Sequence, residues 1–225
     1  PFLSEMPSWS LLTAPDVPGQ YTSAVLMESV PFIDPRLALP WLASEFERND
    51  GEIKKPYRKI EDLDDFIDEA RENVVFNCSG LGARELLKDP EIRSVRGQIV
   101  VVSYRPAWDY SILGDDNFYI FPRKTETILG GTAEDGEWEE QTTDTEVNRI
   151  FKRAQTVMPD LTQEHITNKY AGLRPFRTSG PRVELEERRG KKHVTNVGFG
   201  GSGWTFCYGA AEKAVGLVRP QDYSK

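Results

Sequence analysis

Val197-Gly198-Phe199-Gly200-Gly201-Ser202-Gly203-Trp204-Thr205 places four glycines in six consecutive positions. A strand-like run, His193–Gly198, leads into it, and an Ala-rich helical run, Thr205–Val218, leads out. Glycine admits positive φ and lets backbone approach a ligand closely. A helix N-terminus adds unpaired N–H groups and the positive end of a dipole. Together they suit a planar or anionic ligand group, such as a phosphate or the electron-rich edge of a reduced cofactor. From these residues alone, a flexible glycine-rich surface turn reads equally well.

A second stretch has the same grammar. Val74-Val75-Phe76-Asn77-Cys78-Ser79-Gly80 is a short apolar run ending in small residues, followed by Gly80-Leu81-Gly82-Ala83 and a helix through Leu87. A strand buried on both faces that turns tightly into a helix is the βα unit of a parallel sheet. Ligands of open α/β sheets bind at the carboxyl ends of strands, which makes Ser79 and Gly80 ligand candidates. The plainer reading is a tight turn with a helix-capping Ser.

Upstream, the first thirty or so residues are Pro-rich and loop-like, apart from an alternating strand candidate at Ser23–Val30. Asp34 and Pro35 open a helix as N-cap and first-turn residue, and Asn49-Asp50-Gly51 ends it. A short strand is expected near Glu52–Tyr57, then an acidic, solvent-exposed helix within Ile60–Arg71. From Gly97 the pattern turns β-rich: Gln98–Tyr104, Phe118–Pro122, Glu126–Thr132, Lys169–Arg174 and Pro181–Leu185 read as strands. Thr145–Met158 repeats Val147, Ile150, Phe151, Ala154 and Val157 at helical spacing.

The chain has 225 residues and a net charge of −8. That charge, with no Lys/Arg stripe, argues against a nucleic-acid binder. No apolar run approaches membrane-spanning length and no signal peptide is recognisable. Cys78 and Cys207 lie in apolar contexts without metal-type spacing and read as buried free thiols of a reducing compartment. His165 and His193 have polar sequence neighbours, so neither a Ser-His-Asp triad nor a His-based metal site is expected. The chain begins Pro1-Phe2-Leu3 without an initiator Met, which points to a longer polypeptide.

Seven blocks in order carry a resemblance: Asn77-Cys-Ser-Gly80, Arg96-Gly-Gln98, Tyr119-Ile-Phe-Pro122, Leu129-Gly-Gly-Thr132, Gly172-Leu-Arg-Pro175, Arg182-Val-Glu-Leu185 and Gly198-Phe-Gly-Gly-Ser-Gly-Trp-Thr205. The sequence resembles the FAD-dependent D-amino-acid oxidase and D-aspartate oxidase family over nearly its whole length. The resemblance implies an α/β plus α+β protein, part of an FAD-binding Rossmann-like domain interleaved with an antiparallel β-sheet substrate domain. Residues 1–34 would be a substrate-domain segment and 35–95 an FAD-domain segment. Residues 96–178 would form the antiparallel substrate domain, and 179–225 the FAD-domain return with the glycine loop and last helix.

By the same resemblance, Arg174 grips the substrate α-carboxylate, a role that suits the rigid guanidinium fork. Tyr119 contacts that carboxylate, and the Gly201 carbonyl accepts from the substrate amine. Ile60, Ser79 and Gly80 lie around the adenosine half of FAD; Gly200, Gly201, Ser202, Gly203, Trp204 and Thr205 line the flavin, with Thr205 at its pyrimidine end. No residue is expected as acid or base. Hydride passes from the D-amino acid to FAD, molecular oxygen reoxidises the flavin, and a 2-oxo acid, ammonia and hydrogen peroxide result.

Two departures stand out. The family's phosphate-binding fingerprint, in its first βαβ unit with a ribose-binding acid after it, has no counterpart, and Gly80-Leu81-Gly82-Ala83 has the wrong spacing. The chain therefore reads as the C-terminal part of an oxidase whose N-terminal FAD-binding portion is either a separate chain or missing here. Second, the lid segment Ile112–Tyr119 is short, and the second lid tyrosine of vertebrate members falls at Asp115, with Tyr110 or Tyr104 as replacements. Neutral D-amino acids are favoured as substrates, since D-aspartate requires a second pocket cation. Arg123, Lys124 and Arg177 are the candidates for it. Ser224-Lys225 stops one Leu short of a peroxisomal address. Homo-oligomerisation is open. The rival readings are a D-aspartate oxidase, a glycine or sarcosine-type flavin oxidase, and a non-enzymatic β-rich partner-binding fragment without flavin.

Overall fold

The computed structural model describes residues 8–13, 17, 21–28, 30–55, 59–108 and 110–219. The peroxisome-like end, Ser224-Lys225, lies outside the described residues. The chain divides into two compact units, 1–59 and 60–225.

In the first unit, β1 (Trp9–Thr13) pairs antiparallel with β2 (Ser23–Met27), Trp9 opposite Met27. The sequence reads β1 as loop because its five residues are hemmed in by prolines. Helix α1 (Pro35–Arg48) starts as its residues dictate: the Asp34 carboxylate accepts from the Arg36 N–H at 3.1 Å, and Pro35 occupies the first turn. It ends at Asn49, and the Gly51 N–H reaches back to the Phe46 carbonyl at 2.9 Å. Residues 52–55 form no strand, contrary to expectation, and 56–57 are outside the described residues. Lys54-Lys55-Pro56 offers a strand neither apolar alternation nor a complete set of N–H donors.

The second unit begins with α2 (Leu63–Glu69), β3 (Val74–Asn77), α3 (Ala83–Leu86), β4 (Ile92–Val102), β5 (Ile112–Leu113), β6 (Tyr119–Pro122) and β7 (Thr127–Gly130). It continues with β8 (Glu134–Asp135), α4 (Asp144–Gln155), β9 (Ile166–Arg177), β10 (Arg182–Arg188), β11 (Lys191–Val197) and α5 (Gly203–Gly216). Two sheets result, one in the order β10-β11-β3 and one in the order β5-β6-β7-β4-β8, with β9 on β4.

In the smaller sheet, β10 and β11 form a hairpin through Arg189 (φ 54) and Gly190 (φ 74), the two left-handed residues a twist-compatible two-residue turn needs. β11 then runs parallel to β3, His193 beside Val75. Helix α2 is pinned to the hairpin by charge. Arg188 binds Asp64 at 2.5 Å, Arg189 binds Asp68 at 2.6 Å, and the Lys191 ammonium donates to the C-terminal carbonyls of Ile67 and Ala70. A cation there opposes the negative end of the helix.

Four expectations change in this unit. Helix α2 exposes its acids, but Leu63 and Ile67 are 4% and 0% exposed, so its apolar face is core rather than surface. β3 ends the three-stranded order and leaves Phe76 42% exposed, so it is not buried on both faces. His193, despite polar sequence neighbours, is wholly buried with Nδ1 2.9 Å from Glu186, its partner across the β10–β11 pair, while Lys192 beside it is exposed. The thiols are free, but Cys78 is exposed and Cys207 half-buried.

The larger sheet is organised by β4, which begins six residues before its expected start. One edge pairs with β7 and β8, the other with all of β9. Helix α4, capped by the Thr143 hydroxyl, buries Val147, Ile150, Phe151 and Ala154 against this sheet. Each fully buried large apolar side chain contributes about 1.5–3 kcal/mol. Gln98, which reaches the start of α4, and Val95, which pairs with Arg174, alternate onto opposite faces of β4, so the site lies on the face away from α4.

Candidate functional site

Arg174 projects from β9, where it pairs with Val95 of β4. Its guanidinium lies flat over Gly97: a Cβ there would fall inside the Arg174 head group. Nη1 donates to the Thr132 carbonyl at 2.9 Å, which fixes the plane of the fork. Tyr119 of β6 packs in the same manner over Gly130, where a Cβ would fall within its ring. Its phenol hydrogen-bonds Arg174, and the ring stacks on Phe121 with centroids 4.7 Å apart. Burial pushes the Tyr119 phenol above its ordinary value, only partly offset by the Arg174 charge, so it stays protonated and able to donate at neutral pH.

The Arg96-Gly-Gln98 and Leu129-Gly-Gly-Thr132 blocks thus do two jobs. Their glycines clear the floor for Arg174 and Tyr119, and their polar residues hold it from behind. Arg96 pairs with Glu134, the Gln98 amide donates to Glu134 at 2.8 Å, and the Thr132 hydroxyl donates to it at 2.6 Å. The Gln98 side-chain carbonyl accepts from the Thr143 N–H at 2.7 Å, which ties the network to the start of α4. Burial pushes the Glu134 carboxyl up, but hydrogen bonds from Arg96, Thr132 and Gln98 outweigh it and hold the carboxyl at about 2.

The glycine run closes the site. Gly198 (φ 91) and Gly200 (φ 56) take left-handed conformations between β11 and α5, and Phe199 bridges back to Phe176 of β9. Gly201 packs tightly against Arg174: a Cβ there would come within 3.2 Å of Arg174 Cδ. The result is a cleft of about 470 Å³ lined by Arg174, Phe176, Gly200 and Gly201, with Arg93 and Asp135 also on its wall. Arg174, Gly200 and Gly201 therefore meet in one cleft, and Tyr119 reaches it through Arg174.

Other candidates lie elsewhere. Asp115 turns toward α4, pairing with Arg153 at 2.6 Å, and Asp116 pairs with Arg149 at 3.2 Å. Tyr110 stacks on Trp108 and Tyr104 meets His165 edge-on. Arg177 is occupied by Asp89 at 2.9 Å and Glu91 at 2.5 Å, and Arg123 pairs with Glu126 at 3.2 Å. The second cation lining the cleft is Arg93, which the sequence reading overlooked.

Ser79, Gly80 and Ile60 do not line this cleft. The Ser79 N–H and hydroxyl both donate to Asn77 Oδ1, at 3.1 and 2.7 Å, and Gly80 takes φ 59 next to Pro175. Ile60 is half-buried at the start of the unit. Ser202 gives α5 no side-chain cap, Gly203 opens onto clear space, Trp204 is half-buried and Thr205 exposed.

Residues 7–217 match the FAD-dependent oxidoreductase family. This chain belongs to that family. The D-amino-acid oxidase of Streptomyces coelicolor is 32% identical over 227 residues, covering 96% of this chain and 68% of the relative. That of Rubrobacter xylanophilus is 40% identical over 159 residues, covering 68% and 48%, and that of Dictyostelium discoideum 33% over 210 residues, covering 90% and 58%. The chain thus spans between 48% and 68% of the length of these curated relatives. Among solved structures, fructosamine oxidase of Aspergillus fumigatus superimposes with a TM-score of 0.66 at 17% identity, over 98% of this chain and 63% of that one. Glycine oxidase of Bacillus cereus gives 0.58 at 23% identity, over 64% and 41%. The solved structures share the fold, and the family match gives FAD as the cofactor.

The residues present fit that group. The uncapped N–H groups at the start of α5 suit the electron-rich edge of a flavin. The buried Asn77 Nδ2, at the carboxyl end of β3, has no hydrogen-bond partner among the described residues. Gly198, Gly200 and Gly203 carry the spacing of a dinucleotide fingerprint, yet no strand follows α5 among the described residues to complete a βαβ unit.

Proposed function

We propose that the protein containing this chain oxidises D-amino acids, with uncharged side chains preferred, to 2-oxo acids and ammonia. The observation that carries this reading is the Arg174 fork, spread over Gly97 beside a protonated Tyr119 and the backbone of Gly201. A planar fork and a phenol together match a carboxylate, and a glycine carbonyl orients an amine without a titratable group. With carboxylate and amine fixed and the hydride acceptor as the third reference point, one enantiomer alone would present its Cα–H, and the fixed orientation lowers the entropic part of the barrier. When bound, FAD would supply the hydride acceptor, with oxygen as the final oxidant giving hydrogen peroxide, and water would hydrolyse the resulting imino acid to the 2-oxo acid and ammonia. No side chain acts as base: the amine binds neutral and the residues orient it.

In this reading residues 35–95 and 179–225 serve the cofactor while 96–178 serve the substrate. Ile60, Ser79 and Gly80 face the adenosine half of FAD, and Gly200 to Thr205 its flavin. The remaining phosphate contacts come from protein outside this chain, in keeping with its share of the relatives' length. Arg174→Leu tests the assignment. It should raise KM for D-alanine by two orders of magnitude or more while FAD stays bound, whereas an unchanged KM removes Arg174 from its role.

A further inference from the structure

The register of β4 on β9 sets Val95 opposite Arg174 and Arg93 opposite Phe176. Arg93 and Arg174 therefore project from one face of the ladder as diagonal neighbours, about 7–8 Å apart at the backbone. Both line the same cleft, so it holds two guanidinium groups and not one. They differ in what occupies them. Arg174 binds a backbone carbonyl and a phenol, which are neutral groups. Arg93 lies over the Phe176 ring, 4.8 Å from its centroid, and carries a carboxylate, that of Asp135 on β8, which lines the cleft as well.

We propose that Arg93 is a second carboxylate-binding group of the cleft, and that Asp135, by occupying it, makes the site prefer uncharged over acidic substrate side chains. The proposal rests on the reading that Arg174 takes the α-carboxylate. A substrate held there directs its side chain along the ladder toward Arg93. An uncharged side chain leaves the Arg93–Asp135 pair intact. The carboxylate of D-glutamate must displace Asp135 and then remain beside it, two like charges sharing one fork. The pair is not needed for the fold: its side chains are 36% and 58% exposed, and exposed pairs contribute little stability. Asp135 has the position and the charge of a built-in competitor.

The test uses the complete FAD-loaded enzyme and the variant Asp135→Asn. The first readout is the ratio of kcat/KM for D-glutamate to that for D-alanine, in which a general loss of activity cancels. The second is calorimetric binding of glutarate against butyrate, which needs no turnover. Both the ratio and the glutarate preference should rise tenfold or more, and both gains should vanish in Arg93→Gln/Asp135→Asn. A smaller rise, or a gain that survives in the double variant, overturns the proposal. Should the unaltered enzyme fail to oxidise D-alanine, the functional reading falls, while the glutarate titration still decides the role of Asp135.

Discussion

Gly97 and Gly172 face each other across the β4–β9 ladder, yet they are predicted to respond in opposite ways to one added methyl group. A Cβ on Gly172 meets nothing within 4 Å, whereas a Cβ on Gly97 falls inside the Arg174 guanidinium. In Gly97→Ala the guanidinium must leave its floor and abandon the 2.9 Å bond to the Thr132 carbonyl. What it then loses is the charge-assisted grip on the substrate carboxylate, about 1.5–3 kcal/mol. At about 1.4 kcal/mol per factor of ten, KM for D-alanine should rise roughly ten- to hundredfold. The strand itself has no reason to suffer, since glycine inside a strand is about 0.5–1 kcal/mol less favourable than alanine. Steady-state kinetics of the FAD-loaded enzyme, with melting curves for both variants, decides the matter. Gly172→Ala should keep its KM and its Tm, and Gly97→Ala should keep only its Tm. Equal KM values for the two variants would refute the idea that the empty floor positions Arg174.

Two further outcomes follow from the supports of the site. The Glu134 carboxyl lies at about 2, below its ordinary 4.5, so its contribution to stability is complete above pH 4.5 and disappears as the pH falls through 2. Glu134→Gln should be less stable than the parent at pH 7 and should lose less between pH 5 and pH 2; parallel urea midpoints across that window would contradict the network. Arg153 holds the turn before β6 through Asp115, Asp116 and a cation–π contact 4.8 Å above Phe118. Arg153→Met should therefore speed amide exchange several-fold over residues 114–118 with little change at β4, and unaltered exchange there would mean that the turn holds itself.

Most elements were legible because their signals are local. Asp34 and Pro35 mark a helix start, and the Val147–Ile150–Phe151–Ala154 spacing marks a face. The first half of β4 was hidden, since Ile92-Arg93-Ser94-Val95-Arg96 carries two arginines whose partners, Asp135 and Glu134, lie some forty residues on. With those partners unknown, the run reads as a polar loop. The same gap concealed Arg93 as a cleft residue and directed attention to Arg123, Lys124 and Arg177, at least two of which are neutralised elsewhere. The glycine blocks were visible as letters, but their purpose was not. That Gly97 and Gly130 exist to let Arg174 and Tyr119 lie flat is a statement about strand register, and register is not a local property. The burial of His193 was missed for a related reason: its partner, Glu186, sits across the β10–β11 pair, a register the local sequence does not reveal.

The central claim is that this cleft takes the carboxylate and amine of a D-amino acid and presents its Cα–H to FAD. The most direct test is anaerobic mixing of the complete FAD-loaded enzyme with D-alanine and, separately, L-alanine, followed through the visible flavin absorbance. D-alanine should bleach the flavin and L-alanine should leave it yellow. Equal bleaching by both enantiomers, or bleaching by sarcosine but not by D-alanine, would contradict the account.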